Sequence, residues 1–545
     1  MKKHHFLGLD ISTQSLTAVI IEPSSGDFRR HNIHFDSNYP SYKTTDGVVF
    51  GDDPTEVHAD PRMWIEALDD MLLWLKEKKI SRFIRSIGVS AQQHGTVYLR
   101  QKASAILSQL DPTNRLHTQL EQIFSRETSP VWMDSSTNKE CREITKFLGG
   151  DIEVARLTGS VSTERFAGPQ IRSFWKRNPE AFENTSHIAL ISSFITALLI
   201  GRLAAVDAGD GFGTNLADIQ TGNWSQTAME ATAPELKQRL PALLLRDKAV
   251  GNVSSYLVKR YGFDPETRVI NGSGDNPCSL VGLGLIEVPE IHAISLGTSD
   301  TYFGYMKQIL EMQRSSGHIF GTADGRYMFL ICFKNGSLAR EQLKEHYGLN
   351  WHDFSNIIQK TPSGNHGKIM LPYFLPEITP RVLNAGIQRF GGLEENDIMG
   401  NVRAVVEAQM MAMYLHSGWT GRRPKTIYVT AGGAQNQGLL KVISQVFGAE
   451  VYAFEVKESA ALGAAIRAAH CYLNSKSSNI SWKELTAYYV NLKSAEVIRP
   501  SKAEIEIYHH PNGFLSVYDA CEKFYLRQGD NPSAKIEAFK QQFFK

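Results

Sequence analysis

The sequence predicts an α/β protein built as two halves of similar plan, and three observations carry that reading. Near residue 10, an apolar strand runs through a turn of small and hydroxylated residues into a second strand, over residues 6–21. The same pattern returns over residues 293–303, with Leu296-Gly297-Thr298-Ser299-Asp300 at the turn. Around these hairpins, helix-like and strand-like periodicities alternate: residues 61–75 have the apolar spacing of an amphipathic helix, and residues 87–90 read as a short strand.

Each element adds a local argument. In the first hairpin, Asp10 ends a strand and Ser12-Thr13-Gln14-Ser15 forms the turn. Backbone N–H groups and hydroxyls converging on one point suit a phosphate. A carboxylate just before such a turn suits the Mg²⁺ that accompanies nucleotide phosphates. A third strand, at residues 427–430, ends in Ala431-Gly432-Gly433-Ala434-Gln435-Asn436 before a helix. Glycines there let a flat adenine and its ribose lie against the backbone. The Ala-rich run at residues 459–465 is expected to form a close-packed helix beneath that nucleotide side. Residues 188–200 are apolar but too short to span a bilayer, so they predict a buried core helix.

Length and composition bound the class. At roughly 100–200 residues per domain, 545 residues allow two large domains or three to four ordinary ones. The expected boundary lies near residues 286–292, dividing the chain into 1–290 and 291–545. The 58 basic and 57 acidic residues leave a formal charge of +1, which argues against nucleic acid or an anionic membrane as the main partner. Five scattered cysteines without a Cys-x-x-Cys pair predict neither a disulfide framework nor a zinc site. The amino terminus lacks the apolar core of a secretory signal, so a cytoplasmic protein is expected.

Two further clusters suit chemistry on a polyol. Residues 269–277 read as a strand, Gly-rich turns, and Asp275-Asn276-Pro277 opening a helix, with Asn276 as its cap. A carboxylate fixed there can accept the proton of an attacking hydroxyl, as phosphoryl transfer to an alcohol requires. Taken alone, it can equally be a helix-capping aspartate. Gln92-Gln93-His94-Gly95 places polar side chains at a strand end, and Arg165 in Glu164-Arg165-Phe166 offers donors to hydroxyls, unless it is merely ion-paired to its neighbour. The sequence contains no Walker A motif and no protein-kinase Gly-rich loop.

In this order the motifs resemble those of the FGGY carbohydrate kinases, and most closely the animal-like xylulose kinases among them. The matching segments are Asp10-Ile11-Ser12-Thr13-Gln14, Gln92-Gln93-His94-Gly95, residues 131–137, Glu164-Arg165-Phe166, Gly274-Asp275-Asn276-Pro277, residues 295–300, residues 332–338 and residues 430–434. The resemblance implies two ribonuclease H-like (actin-like ATPase) domains with an interdomain cleft. It implies ATP and Mg²⁺ as cofactors and a small sugar, D-xylulose, as substrate. Asp275 is then the expected catalytic base and Asp10 the magnesium-side aspartate. His94, Arg165, Asp275 and Asn276 are the expected sugar contacts. Thr13, Gln14, Gly297, Thr298, Trp351, Gly432, Gly433 and Asn436 fall on the nucleotide side. Two departures from the family pattern, Ser12-Thr13 in place of Gly-Thr and Gln170–Trp175 in place of Lys-x-x-Trp, leave the sugar less firmly assigned than the reaction. Ribulose, glycerol or gluconate kinases, and a non-catalytic actin-fold ATPase, are the competing readings. A monomer or homodimer with no membrane or nucleic-acid partner is expected.

Overall fold

The computed structural model describes residues 4–310, 316–453, 456, 458–490 and 497–545. The chain divides into two units. One comprises Met1–Glu287, Glu311–Met328 and Val456–Val490; the other comprises Val288–Leu310, Phe329–Glu455 and Asn491–Lys545. Two stretches beyond residue 290 therefore return to the first unit.

The first unit is organised on a mixed sheet. Strands β1 (His5–Ile11), β2 (Ser15–Glu22) and β3 (Asp27–His34) form an antiparallel meander. On the other side of β1, strand β4 (Ile84–Ala91) pairs parallel to it. Beyond β4 lie β6 (Arg268–Ile270), parallel to β4, and the edge strand β5 (Ala249–Asn252). The short β7 (Ser273–Gly274) also pairs parallel with β4, further along it. β1 and β2 are buried almost throughout because helices cover the sheet, which is why they read as apolar runs rather than alternations. The helix Pro61–Glu77 forms as its spacing predicts: Asp60 caps it, Pro61 opens it, and Met63, Trp64, Leu68, Met71, Leu72 and Leu75 are buried.

Residues 188–200 depart from the single helix expected. His187–Leu190 is a strand paired with Thr96–Leu99, and only Ile191–Ile200 is helical, fully buried as expected. Ser193 Oγ accepts the Leu190 N–H and so fixes the helix start at residue 191.

The Ala-rich helix Ser459–Ser475 is the second departure. The Gly432-Gly433 turn belongs to the second unit, whereas this helix belongs to the first and packs on that unit's sheet. Its backbone lies so close to β1 that a Cβ on Gly8 would stand 1.9 Å from the Ala461 carbonyl oxygen. Gly463 meets the helix Asp275–Gly282 in the same way, 1.8 Å from the Cys278 oxygen. The small residues serve close approach, as expected, and do so within the first unit.

The second unit repeats the plan. β8 (Ile291–Leu296) and β9 (Asp300–Met306) form the antiparallel hairpin, and β10 (Tyr327–Phe333) lies beside β9. β11 (Thr426–Thr430) runs parallel to β8, followed by β12 (Glu450–Ala453) and the antiparallel β13 (Val497–Ile498). Both sheets thus place the third, second and first strands beside a parallel fourth, a ribonuclease H-like order. The helices Lys502–His509, Phe514–Tyr525 and Ser533–Phe543 close this unit and bury Tyr508, Phe514, Tyr518 and Phe539.

Candidate active site

Three adjacent strand ends build the acidic centre of the first unit. Asp10 on β1 stands opposite Ser90 on β4, and Ser90 stands opposite Ser273 on β7. Asp275 follows β7 directly as the first residue of the helix Asp275–Gly282. Asp10 and Asp275 therefore flank β4 at its carboxyl end, the usual place for a ligand in an open α/β sheet. The helix begins two residues earlier than predicted, with Gly274 rather than Asn276 as its cap. Pro277 is tolerated inside the first turn because N–H groups there have no helical partner.

Burial and mutual repulsion set the charge of this centre. Asp275 keeps part of its surface open, yet desolvation, with Asp10 nearby, raises its pKa to about 7. Burial also raises Asp10, to about 6. Among the described residues, Asp10 Oδ1 is buried without a hydrogen-bond partner. Asn276 orders the site around it. Its side-chain amide donates to Gln93 Oε1 at 2.8 Å and to Asp275 Oδ1 at 3.1 Å, and its backbone N–H donates to the same Asp275 oxygen at 2.9 Å.

His94 follows at the end of β4 with a left-handed backbone (φ +76°), a conformation costly for a non-glycine residue and characteristic of functional sites. Its Nδ1–H donates to the Gly213 carbonyl at 2.8 Å, and its ring stacks on Phe166 at 4.3 Å. Burial, and then the charge of Arg165, lower its pKa to about 3. The ring is neutral, which leaves Nε2 as an acceptor for a hydroxyl. Arg165 pairs with His318 Nε2 at 3.4 Å rather than with Glu164, whose carboxylate accepts from Asn138. The first turn is polar and tied down: Trp132 Nε1 donates to Thr13 Oγ1 at 2.8 Å, and Gln14 donates to Asp46.

The remaining predicted residues meet in the second unit. Gly297, Thr298, Trp351, Gly432, Gly433 and Asn436 all line one cavity of about 780 Å³, within the range of small-molecule sites. Its walls are the β8–β9 turn, the turn after β11 and the helix Trp351–Lys360. Trp351 is 45% exposed, with Lys344 Nζ 5.2 Å from its ring centroid. Asn436 also caps the helix Gln437–Phe447 through Leu439 N–H. Ala431, at φ +66° and ψ −174°, occupies a region otherwise reserved for glycine.

Residues 5–282 match the N-terminal domain, and residues 292–472 the C-terminal domain, of the FGGY family of carbohydrate kinases. The chain belongs to this family. As a member it is a sugar phosphotransferase. It is 41% identical over 478 residues to a xylulose kinase of Rattus norvegicus, covering 85% of this chain and 88% of that protein. It is 39% identical over 495 residues to xylulose kinase 2 of Arabidopsis thaliana, covering 86% and 88%. Its fold matches a gluconate kinase structure from Lactobacillus acidophilus with a TM-score of 0.78, at 19% identity and covering 96% and 98% of the two chains.

Sequence reasoning missed two groups in this centre. Asp210 is buried beside the acidic cluster, bonded to Ser192 Oγ at 2.5 Å, and desolvation raises its pKa to about 8. In the sequence it sits in Ala208-Gly209-Asp210-Gly211, which reads as an ordinary turn. Gln93 spans from Asn276 to the Gly209 carbonyl, where its Nε2 donates at 2.9 Å. Its place in the Gln92–Gly95 cluster was visible, but its bridging role needed the fold.

Proposed function

We propose that this chain transfers the γ-phosphoryl group of ATP to D-xylulose, forming D-xylulose 5-phosphate, with Asp275 as the general base. The observation that carries the reading is Asp275 itself: a carboxylate at a strand end, oriented by Asn276, with its pKa near neutrality. A base poised near the working pH combines a usable ionised fraction with real proton affinity. The substrate comes from the relatives named xylulose kinases, each about 40% identical over most of the chain.

The chemistry asks Asp275 to take the proton of the attacking sugar hydroxyl as its oxygen bonds to the γ-phosphorus and the bond to the β-phosphate oxygen breaks. His94 Nε2 accepts from one sugar hydroxyl while the Arg165 guanidinium donates to another. In the second unit, the cavity between Trp351 and the Gly432-Gly433 turn receives adenosine, and the Gly297-Thr298 turn faces the phosphates. Mg²⁺ fits Asp10, whose buried Oδ1 has no hydrogen-bond partner among the described residues. Among the described residues, no group of three or more His, Cys, Asp or Glu side chains forms a metal cage. That suits an ion held through one carboxylate and the phosphates, and when bound it offsets phosphate charge. Sugar-dependent ADP release across D-xylulose, D-ribulose, glycerol and gluconate tests the reading. The highest kcat/KM should fall on D-xylulose, and another sugar ahead of it would overturn the substrate.

A further inference from the structure

Arg467 is a buried cation that the reaction does not explain. It lies on the helix Ser459–Ser475, is 1% exposed, and reaches five acceptor atoms on four residues with one guanidinium. Nε donates to both oxygens of Asp247, at 3.0 and 3.1 Å, and Nη2 to Asp207 Oδ2 at 3.0 Å. Nη2 also reaches the Asn271 carbonyl at 3.4 Å, and Nη1 reaches Cys278 Sγ at 3.3 Å. Asn271 and Cys278 bracket the strand–turn–helix that carries Asp275 and Asn276. One side chain therefore grips this segment on both sides of the base.

The second grip runs through Asp207. Its other oxygen accepts the Asp210 N–H at 3.0 Å and so caps Ala208–Gly211. The Gly209 carbonyl in that turn holds Gln93, and Gln93 holds Asn276, whose amide holds Asp275. Burying a guanidinium against two carboxylates carries a large desolvation cost, and apolar packing of similar volume often does as well for stability alone. A forked, planar donor is suited to fixing several acceptors at once, which a lysine cannot do.

We propose that Arg467 is a positioning residue for catalysis: it fixes the register of the Asn271–Cys278 segment, and thereby the carboxylate of Asp275. This rests on Asp275 being the base. A displacement of about 1 Å at a reacting group can cost on the order of a hundredfold in rate. The test uses the full-length enzyme with Arg467→Lys, and with a triple variant, Arg467→Met with Asp207→Asn and Asp247→Asn, that removes the charges together. Steady-state kinetics are read on protein whose circular dichroism and thermal midpoint show it folded.

Arg467→Lys should lose on the order of ten- to a hundredfold in kcat, with KM for ATP within about twofold of wild type, since no nucleotide contact is touched. The triple variant should fold and still show the kcat loss. Turnover close to wild type in either folded variant would overturn the proposal. So would parallel losses in kcat and ATP affinity, which mark general disruption. Asp275→Asn is the control: if it keeps turnover, the assignment of the base fails. If it loses turnover while the Arg467 variants keep it, only the positioning role fails.

Discussion

Asn276 donates twice to one oxygen of Asp275, from its backbone at 2.9 Å and from its side-chain amide at 3.1 Å. That pairing commits Oδ1 and fixes the plane of the carboxylate. Replacing Asp275 by Asn preserves the shape but removes the proton acceptor. General bases contribute about 10²–10⁴ in rate, so Asp275→Asn should lose at least about a hundredfold in kcat. Sugar binding, followed by calorimetry, should remain measurable. A loss below tenfold, on the order of 1.4 kcal/mol, would remove Asp275 from the role.

The pH dependence follows from the same group. A base must be ionised to act, and burial with Asp10 nearby raises Asp275 to about 7. kcat/KM for the sugar should therefore climb about tenfold per pH unit on the acid side and level off above about pH 7. His94 contributes no limb in this range, because it stays neutral down to about pH 3. An acid limb near pH 4, where an unperturbed aspartate titrates, would contradict the buried setting of Asp275.

The two glycines of the β11 turn separate binding from stability. A Cβ on Gly432 would meet nothing within 4 Å, whereas one on Gly433 would stand 2.6 Å from Leu296 Cβ. Gly432→Ala should keep the thermal midpoint but raise KM for ATP on the order of tenfold, equivalent to about 1.4 kcal/mol. Gly433→Ala should instead destabilise by about 1–3 kcal/mol through overcrowding. Equal effects of both on KM, with neither lowering the thermal midpoint, would contradict the geometry.

Much of this architecture was legible because local patterns carried it. The two hairpins, the helix after residue 60 and the strand before Gly432 follow from periodicity and turn chemistry within a dozen residues. What escaped was non-local. The Ala-rich run at 459–465 announced close packing but not its partner, since Gly8 is some 450 residues away in sequence. Asp210 and Arg467 look like ordinary polar positions until the fold buries them, because burial is decided by distant segments. The start of the Asp275 helix differs from the expected one for a smaller reason: Pro277 marks a first turn, not a particular place within it.

The carboxy-terminal helices should contribute stability rather than turnover. Tyr508 Oη donates to Glu407 Oε1 at 2.5 Å and accepts from Arg403 Nη2 at 2.9 Å, all three residues being buried. Tyr508→Phe leaves both partners one bond short in a dry site, which costs about 1–3 kcal/mol. Urea unfolding should show that loss, while KM values for sugar and ATP stay within about twofold of wild type. An unchanged midpoint would mean that the network is not sealed from water.

Asp210 gives the sharpest test of the acidic centre. Its pKa in the folded protein is about 8, raised first by desolvation and then by Asp207 and Asp275, against the hydrogen bond from Ser192 and the charge of Arg467. In the unfolded chain it titrates near 4. The native state thus binds this proton more tightly, so the group's stabilising contribution is full below about pH 4 and is lost as pH rises through 8. Asp210→Asn imitates the protonated form at every pH and can still accept the Ser192 hydroxyl. The variant's thermal midpoint should lie above wild type by an amount that grows progressively from pH 5 towards pH 8. A difference that is constant over that range, or that shrinks with rising pH, would show that Asp210 is ionised in the folded protein and is stabilised by Arg467 more than burial disfavours it.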